Sequence, residues 1–132
     1  MYAILTKQFH FEAAHQLPNH RGKCARLHGH SYRLEVSVRG PINPARGASD
    51  DGMVLDLDEI KHIVQAAVIS QVDHYNLNDL IDGPTTAERI AHWIWDRLEQ
   101  VSPAFAELLW RVRLWETATG YVEITRAERS GS

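Results

Sequence analysis

Residues 24–30 are Cys24-Ala25-Arg26-Leu27-His28-Gly29-His30, and they join a candidate metal site to a β-strand. Successive side chains of a strand point to opposite faces, so His28 and His30 can converge on one ion while Gly29 keeps the gap between them free of bulk. The same face then continues in apolar side chains, namely Tyr32, Leu34, Val36 and Val38. This stretch predicts a half-buried strand that begins at a metal site.

A third imidazole ends another alternating run, which begins at Tyr2. Side chains of one parity lead along that run to His15. One histidine on a strand is usually an ordinary hydrogen-bonded residue, but three imidazole nitrogens with one open position are typical of catalytic zinc. The sequence therefore predicts that His15, His28 and His30 hold Zn²⁺.

The only cysteine, Cys24, has three possible roles. As a fourth metal ligand it would close the site and indicate a structural zinc, and as a small apolar side chain it would simply be buried. Basic residues nearby in the sequence and a bound metal would instead stabilise a thiolate. We therefore expect Cys24 to act as a catalytic base or acid.

The composition limits the class of protein. The 132 residues are 44% hydrophobic and 23% charged, which fits a single domain spanning residues 1–132. A net charge of -3 gives no reason to expect direct binding to nucleic acid. One cysteine cannot form an internal disulfide, and no basic segment leads into a long apolar core at the N-terminus. We expect a cytoplasmic location and no membrane partner.

The hydrophobic period changes twice along the chain. Strand-like alternation covers residues 2–11, with the same parity reaching His15, and then residues 28–38, 109–117 and 121–126, with a glycine-rich and proline-rich loop at 40–52. Two helical stripes of apolar residues lie between the second and third of these strands. One stripe is preceded by Asp56 and Glu59 and the other by Thr85 and Glu88, and each of these pairs has the spacing of a helix cap. This order, β-β-α-α-β-β, predicts an α+β fold: a four-stranded antiparallel sheet with two helices on one face.

The edges of such a sheet would leave backbone groups unpaired. Strands that join across subunits into a closed barrel would remove those edges and would create clefts between chains. We therefore expect a homo-oligomer.

Two further positions are candidates for chemistry. Asp73-His74 precedes a polar turn, where a carboxylate and an imidazole could transfer protons, although the same pair also occurs in ordinary turns. Glu116 shares strand parity with Trp110, Val112 and Leu114, so its carboxylate is expected on the covered face, whereas Arg111 and Arg113 have the opposite parity. A buried carboxylate needs a partner, and an aminopyrimidine ring offers two adjacent N–H donors.

These motifs resemble one family across nearly the whole chain. The residues of this chain that carry the resemblance are Phe11-x-Ala13-Ala14-His15, Cys24-x-x-x-His28-Gly29-His30, Asp73-His74-x-x-Leu77-Asn78, Thr86-Ala87-Glu88 and Trp115-Glu116-Thr117. They are similar to those of the 6-pyruvoyltetrahydropterin synthase family, and within it of the 6-carboxytetrahydropterin synthases of queuosine biosynthesis. The three residues between Cys24 and His28 favour this carboxy branch, because the pyruvoyl branch typically has a longer gap.

The resemblance implies a tunnelling fold, assembled as trimers that pair into hexamers, and a pterin triphosphate substrate. It implies that zinc polarises the side-chain hydroxyls of 7,8-dihydroneopterin triphosphate and that Glu116 anchors the pterin ring. Cys24 and Asp73-His74 would move protons, with loss of triphosphate and acetaldehyde. The alternatives are a pyruvoyl-forming enzyme and a zinc-binding or pterin-binding protein without turnover.

Overall fold

The computed structural model describes residues 1–130 and contains five strands and five short or medium helices. The strands are β1 Tyr2–His15, β2 His28–Pro41, β3 Tyr75–Asn76, β4 Leu109–Trp115 and β5 Tyr121–Thr125. The helices are α1 Leu57–Val64, α2 Ser70–Val72, α3 Ala87–Glu99, α4 Pro103–Leu108 and α5 Arg126–Ser130. Within residues 1–130, no helix combines the length and the apolar character that a membrane span requires.

The strands form one sheet in the order β3-β1-β2-β4-β5. The four long strands are antiparallel, as predicted, and β1 pairs with β2 so that His15 faces His28 and Ala13 faces His30. The α+β class is confirmed. The prediction of four strands was incomplete, because the two-residue β3 pairs parallel to β1 at Ala13 and Ala14.

One face of the sheet carries the core. Every second residue of β1 and β2 points to the helices, including Phe9, Phe11, Tyr32 and Leu34, all of which are buried. Helix α3 supplies Ile90, Ile94, Trp95 and Leu98 to the same core. Two predicted helices thus cover this face, and the short α4, which was not predicted, adds Phe105.

Among residues 1–130 the opposite face has no helix over it and is mainly polar, although the exposed Tyr2 and Ile4 also lie on it; we call it the helix-free face. Its side chains pair across strands: Thr6 with Ser37 at 2.7 Å and Gln8 with Glu35 at 2.8 Å. Arg113 lies 3.5 Å from Glu35 and 2.6 Å from Glu123. The buried Glu35 therefore has partners on this face.

The predicted orientation of the Trp110 side chain was wrong. Trp110 does not share the buried face with Val112 and Leu114, because the β2–β4 register shifts between Ser37 and Val38. Leu109 takes the buried position instead, and half-buried Trp110 lies under the guanidinium of Arg39, 5.2 Å from its ring centre. The bulge moves a single side chain to the helix-free face.

The helix caps differ in one place from the predicted pairs. Asp56 caps α1 as expected, since its carboxylate accepts from the backbone N–H of Asp58. For α3 the cap is Thr86, which accepts from the N–H of Arg89, and not Thr85, which is fully buried. The prediction of Thr85 as the cap was therefore wrong by one residue. Helix α1 also continues through a π-helical stretch, Gln65–Ile69, before α2.

Candidate metal centre

Three histidines meet where β1 ends and β2 begins. His15, His28 and His30 each bring a ring nitrogen to within 4.8 Å of the other two. The antiparallel register places His15 opposite His28, and the two-residue period of a strand returns His30 to the same face. The cluster is largely shielded from solvent, with His15 only 1% exposed.

The rings are oriented by backbone carbonyls. His15 Nδ1 lies 2.7 Å from the carbonyl oxygen of Thr85, and His28 Nδ1 lies 2.7 Å from that of Arg26. A carbonyl oxygen only accepts, so each Nδ1 carries the proton and donates it. The Nε2 atoms of all three histidines are buried without a hydrogen-bond partner in the structure, which leaves their lone pairs for a metal.

Two supporting residues were not predicted to take part. The side chain of Asn78 brackets the backbone of Gln16, accepting from its N–H at 2.8 Å and donating to its carbonyl at 3.1 Å. The backbone carbonyl of Thr85 accepts a hydrogen bond from the Nδ1–H group of His15. Asn78 belongs to the Leu77-Asn78 motif, which is the signal in the sequence that could have indicated this role.

Burial keeps His30 in its neutral form. Desolvation is the main cause that lowers the pKa of this imidazole, and the neighbouring His15 and His28 lower it further, while Glu116 acts in the opposite direction. A neutral imidazole is the form that binds a metal. Three buried Nε2 atoms without hydrogen-bond partners fit Zn²⁺ by their chemistry.

Cys24 lies outside this cluster. The metal-competent group found among residues 1–130 consists of the three histidines alone. Cys24 is half-buried in the short 3₁₀ turn Lys23–Ala25, where its carbonyl accepts from the N–H of Leu17 at 2.8 Å. The neighbouring basic side chains Arg21, Lys23 and Arg26 are exposed.

Glu116 approaches the cluster from the end of β4. One carboxylate oxygen lies 3.7 Å from His30 Nε2 and the other lies 4.0 Å from His15 Nε2. Arg111 and Arg113 turn the other way and contact Ser37, Glu35 and Glu123 on the helix-free face. The predicted parity of this acid and of the two arginines therefore agrees with the geometry.

Asp73-His74 docks on the outer side of β1. The carboxylate of Asp73 accepts from the backbone N–H of Glu12 at 2.9 Å and lies 3.1 Å from His74 Nδ1. The backbone hydrogen bond is the main cause that lowers the pKa of Asp73, and His74 adds to it. His74 has a left-handed backbone (φ 66°) and a largely exposed ring.

A cleft of about 410 Å³ adjoins His74. Its lining combines His74 with Glu12 and Ser31 and also includes one histidine of the cluster, His30, whereas His15, His28 and Glu116 do not line it. Glu12 and Ser31 belong to the helix-free face, whereas the strand period places the histidine side chains on the helix-covered face. The structure thus brings Glu116 to the histidines, whereas His74 shares with the cluster only the cleft beside His30.

Gly29 has a different role from the predicted one. Its missing side chain would point into this cleft and not between the histidines, and a Cβ there would make only an ordinary contact, 3.6 Å from the Ala13 carbonyl oxygen. The gap between His28 and His30 therefore does not depend on glycine.

A mixed sheet with helices on one face, and a three-histidine cluster where β1 ends and β2 begins, define an α+β protein with a candidate metal centre. The chain belongs to the 6-pyruvoyl tetrahydropterin synthase family, whose model matches residues 4–127.

Three relatives illustrate the range of this similarity. A 6-carboxy-5,6,7,8-tetrahydropterin synthase of Synechocystis sp. is 48% identical over 99 residues, which are 74% of this chain and 75% of the relative. A protein of the same name from Haemophilus influenzae is 34% identical and covers 90% of this chain and 96% of its own. The solved structure of Caenorhabditis elegans 6-pyruvoyl tetrahydropterin synthase superposes with a TM-score of 0.82 at 26% identity, covering 95% and 96% of the two chains.

Proposed function

We propose that this protein is a zinc-dependent 6-carboxytetrahydropterin synthase. It would convert 7,8-dihydroneopterin triphosphate and water to 6-carboxy-5,6,7,8-tetrahydropterin, acetaldehyde and triphosphate, a step of queuosine biosynthesis. The observation that carries the proposal is the cluster of three buried, unpartnered Nε2 atoms with a carboxylate beside it. The Synechocystis and Haemophilus relatives, which bear this name, support the carboxy branch.

His15, His28 and His30 would hold the metal, which when bound supplies Lewis acidity toward the hydroxyls of the substrate side chain. The Thr85 and Arg26 carbonyls keep two of these rings in the tautomer that this role needs. Glu116, half-buried at the same edge, can accept two N–H groups of the pterin ring. Its negative charge and its reach from the end of β4 would orient the substrate side chain toward the histidines.

Proton transfer is assigned to Cys24 and to Asp73-His74. The Asp73 carboxylate is held by the Glu12 N–H and faces His74 Nδ1, so it can orient the imidazole. Because His74 lines its cleft together with Glu12 and Ser31 of the helix-free face, and His30 is the only cluster histidine in that lining, we assign the pair to the active site of a neighbouring subunit. A homo-oligomer, trimeric or hexameric, with edge strands joined into a barrel would provide that arrangement.

The branch is tested by product analysis. Zinc-loaded protein is incubated with dihydroneopterin triphosphate and every product is identified by mass spectrometry. Acetaldehyde with a 6-carboxypterin supports the proposal. Triphosphate release without loss of the two-carbon fragment would identify the pyruvoyl-forming reaction, which the similarity to the Caenorhabditis enzyme keeps as the second candidate. Zinc and pterin binding without any product would indicate a binding protein.

A further inference from the structure

The position of Glu116 is unusual for a residue whose only task is to bind a pterin ring. Its two carboxylate oxygens face two different histidines, at 3.7 Å from His30 Nε2 and 4.0 Å from His15 Nε2. Ligands bound at about 2.0–2.2 Å to a tetrahedral zinc lie roughly 3.3–3.5 Å apart. The carboxylate is therefore nearly at the spacing of a ligand that shares one ion with these imidazoles.

The charges around Glu116 point the same way. Within residues 1–130 no lysine or arginine lies within ion-pair distance of its carboxylate, and its ion-pair neighbours are the two histidines. The His15 Nε2 atom directs a lone pair toward the cluster, because His15 donates its Nδ1 proton to the Thr85 carbonyl. A carboxylate facing an imidazole lone pair is unfavourable unless a cation lies between them.

The backbone explains how the carboxylate reaches this place. Glu116 follows Trp115, the last residue of β4, which pairs with Arg33 of β2. Glu116 therefore projects on the helix-covered face beside Tyr32 and His30, and its side chain is 29% exposed. A partly exposed side chain at a strand end can change rotamer without disturbing the core.

We propose that Glu116 is an exchangeable fourth ligand of the metal held by His15, His28 and His30. Without substrate the carboxylate completes the coordination. The side-chain hydroxyls of the pterin take its place, and the released carboxylate accepts the N–H donors of the ring. This inference rests on the proposed function for the identity of the displacing ligand, but not for the ligation itself.

The ligation is tested without turnover. Metal-free protein is titrated with Zn²⁺ against a chromophoric chelator, and its Co²⁺ form is examined by visible absorption. We expect Glu116→Gln to weaken Zn²⁺ binding by at least roughly tenfold and to change the Co²⁺ bands of the ligand-free protein. Glu107→Gln, which removes an exposed carboxylate of α4, is the matched control and should leave both readouts unchanged.

Exchange is tested by adding neopterin, a pterin with the vicinal diol. The Co²⁺ bands of the unaltered protein should change as the carboxylate leaves. Unchanged Zn²⁺ affinity in Glu116→Gln would overturn the inference. Weaker affinity with identical Co²⁺ bands would also overturn it, because the carboxylate would then act only through its charge. Failure of the proposed function is visible separately, as a wrong or missing product in the turnover assay.

Discussion

Tyr32 is fully buried next to the histidine cluster, stacked on Phe11 at a ring distance of 4.8 Å. Its hydroxyl has no hydrogen-bond partner among the described residues, and burial is the main cause that raises its pKa, so the phenol stays protonated. Removing an unpaired buried hydroxyl while keeping the ring removes a desolvation cost. We expect Tyr32→Phe to leave the free energy of unfolding of the metal-free protein unchanged or to raise it by up to about 1 kcal/mol.

Urea unfolding measures this effect, with Tyr121→Phe as the control because Tyr121 is exposed. A loss of stability on replacing Tyr32 would mean that its hydroxyl has a partner in solution.

Cys24 provides a second prediction for a single residue. Because it is absent from the metal-competent group, Cys24→Ala should retain the zinc content of the unaltered protein while losing nearly all turnover. Zinc is measured by atomic absorption on purified protein, and Cys24→Ser tests whether a weaker acid restores part of the rate. Loss of zinc in Cys24→Ala would make the thiol a ligand and would contradict its assignment to proton transfer.

Asp73 should influence the stability of the protein in acid. Its pKa in the folded protein is below the ordinary value because the Glu12 N–H binds the charged form. Its contribution to stability is therefore present above the unfolded pKa of about 3.9 and is lost as the pH falls through the lower folded pKa. We expect the urea midpoint of the unaltered protein to fall more between pH 6 and pH 3 than that of Asp73→Asn. Parallel curves for the two proteins would contradict this prediction.

The histidine set could be predicted because a strand repeats every two residues, so His28 and His30 share a face whatever the rest of the fold does. The roles of Thr85 and Asn78 could not be predicted. They contact His15 and Gln16 across 70 and 62 residues of sequence, and such contacts depend on how α3 and the polar turn pack against β1. Local periodicity contains no information on that packing.

At the level of elements, the two threonines before α3 allow a direct comparison. The Thr86 hydroxyl accepts from the Arg89 N–H of the first helical turn at 3.3 Å, whereas the Thr85 hydroxyl lies 3.3–3.5 Å from His15, Gln16 and Asn78 and binds no N–H of α3. We expect Thr86→Val to lower the free energy of unfolding by about 1 kcal/mol through loss of the cap, and Thr85→Val to cost clearly less. Thermal unfolding of both isosteric variants measures the difference. The reverse order would restore Thr85 as the cap.

The start of α3 could be predicted to within a residue, because proline and two threonines precede a helical stripe, but its end could not, since the predicted stripe ran on to Val101, which is exposed beyond the last helical residue, Glu99. The π-helical stretch Gln65–Ile69 and the parallel strand β3 could not. The pairing of β3 depends on where the chain returns to β1: it pairs with Ala13 and Ala14, next to the point where Asp73 accepts from the Glu12 N–H.

At the scale of the whole molecule, the assembly of subunits can be tested at β5, because this strand lies at an edge of the sheet. The Thr125 N–H faces away from β4, because it donates to the Glu128 carboxylate, and by the strand period the Glu123 N–H faces the same way. We expect a mass in solution of several times 15.0 kDa, and we expect Glu123→Pro to reduce it by removing one donor from that edge.

Sedimentation equilibrium measures the mass, and Glu123→Ala controls for the lost ion pair with Arg113. Equal masses for Glu123→Pro and the unaltered protein would show that β5 does not pair through this amide.

The order of elements and the side of the sheet that the helices cover could be predicted from hydrophobic alternation. The placement of Asp73-His74 beside β1 could not, because it results from the way a two-residue strand extends the sheet beyond β1. A sequence pattern of one chain likewise does not indicate which copy completes which site.

The helix-free face has a consequence for the interior of any closed assembly. Side chains on this face already pair with one another, for example Thr6 with Ser37 and Arg113 with Glu123. A ring of copies with the helices outside would enclose a water-filled channel with a mainly polar and charged wall. Backbone hydrogen bonds between the edge strands of neighbouring copies would hold such a ring together. Added salt would weaken the ion pairs of the channel wall and leave these backbone hydrogen bonds intact.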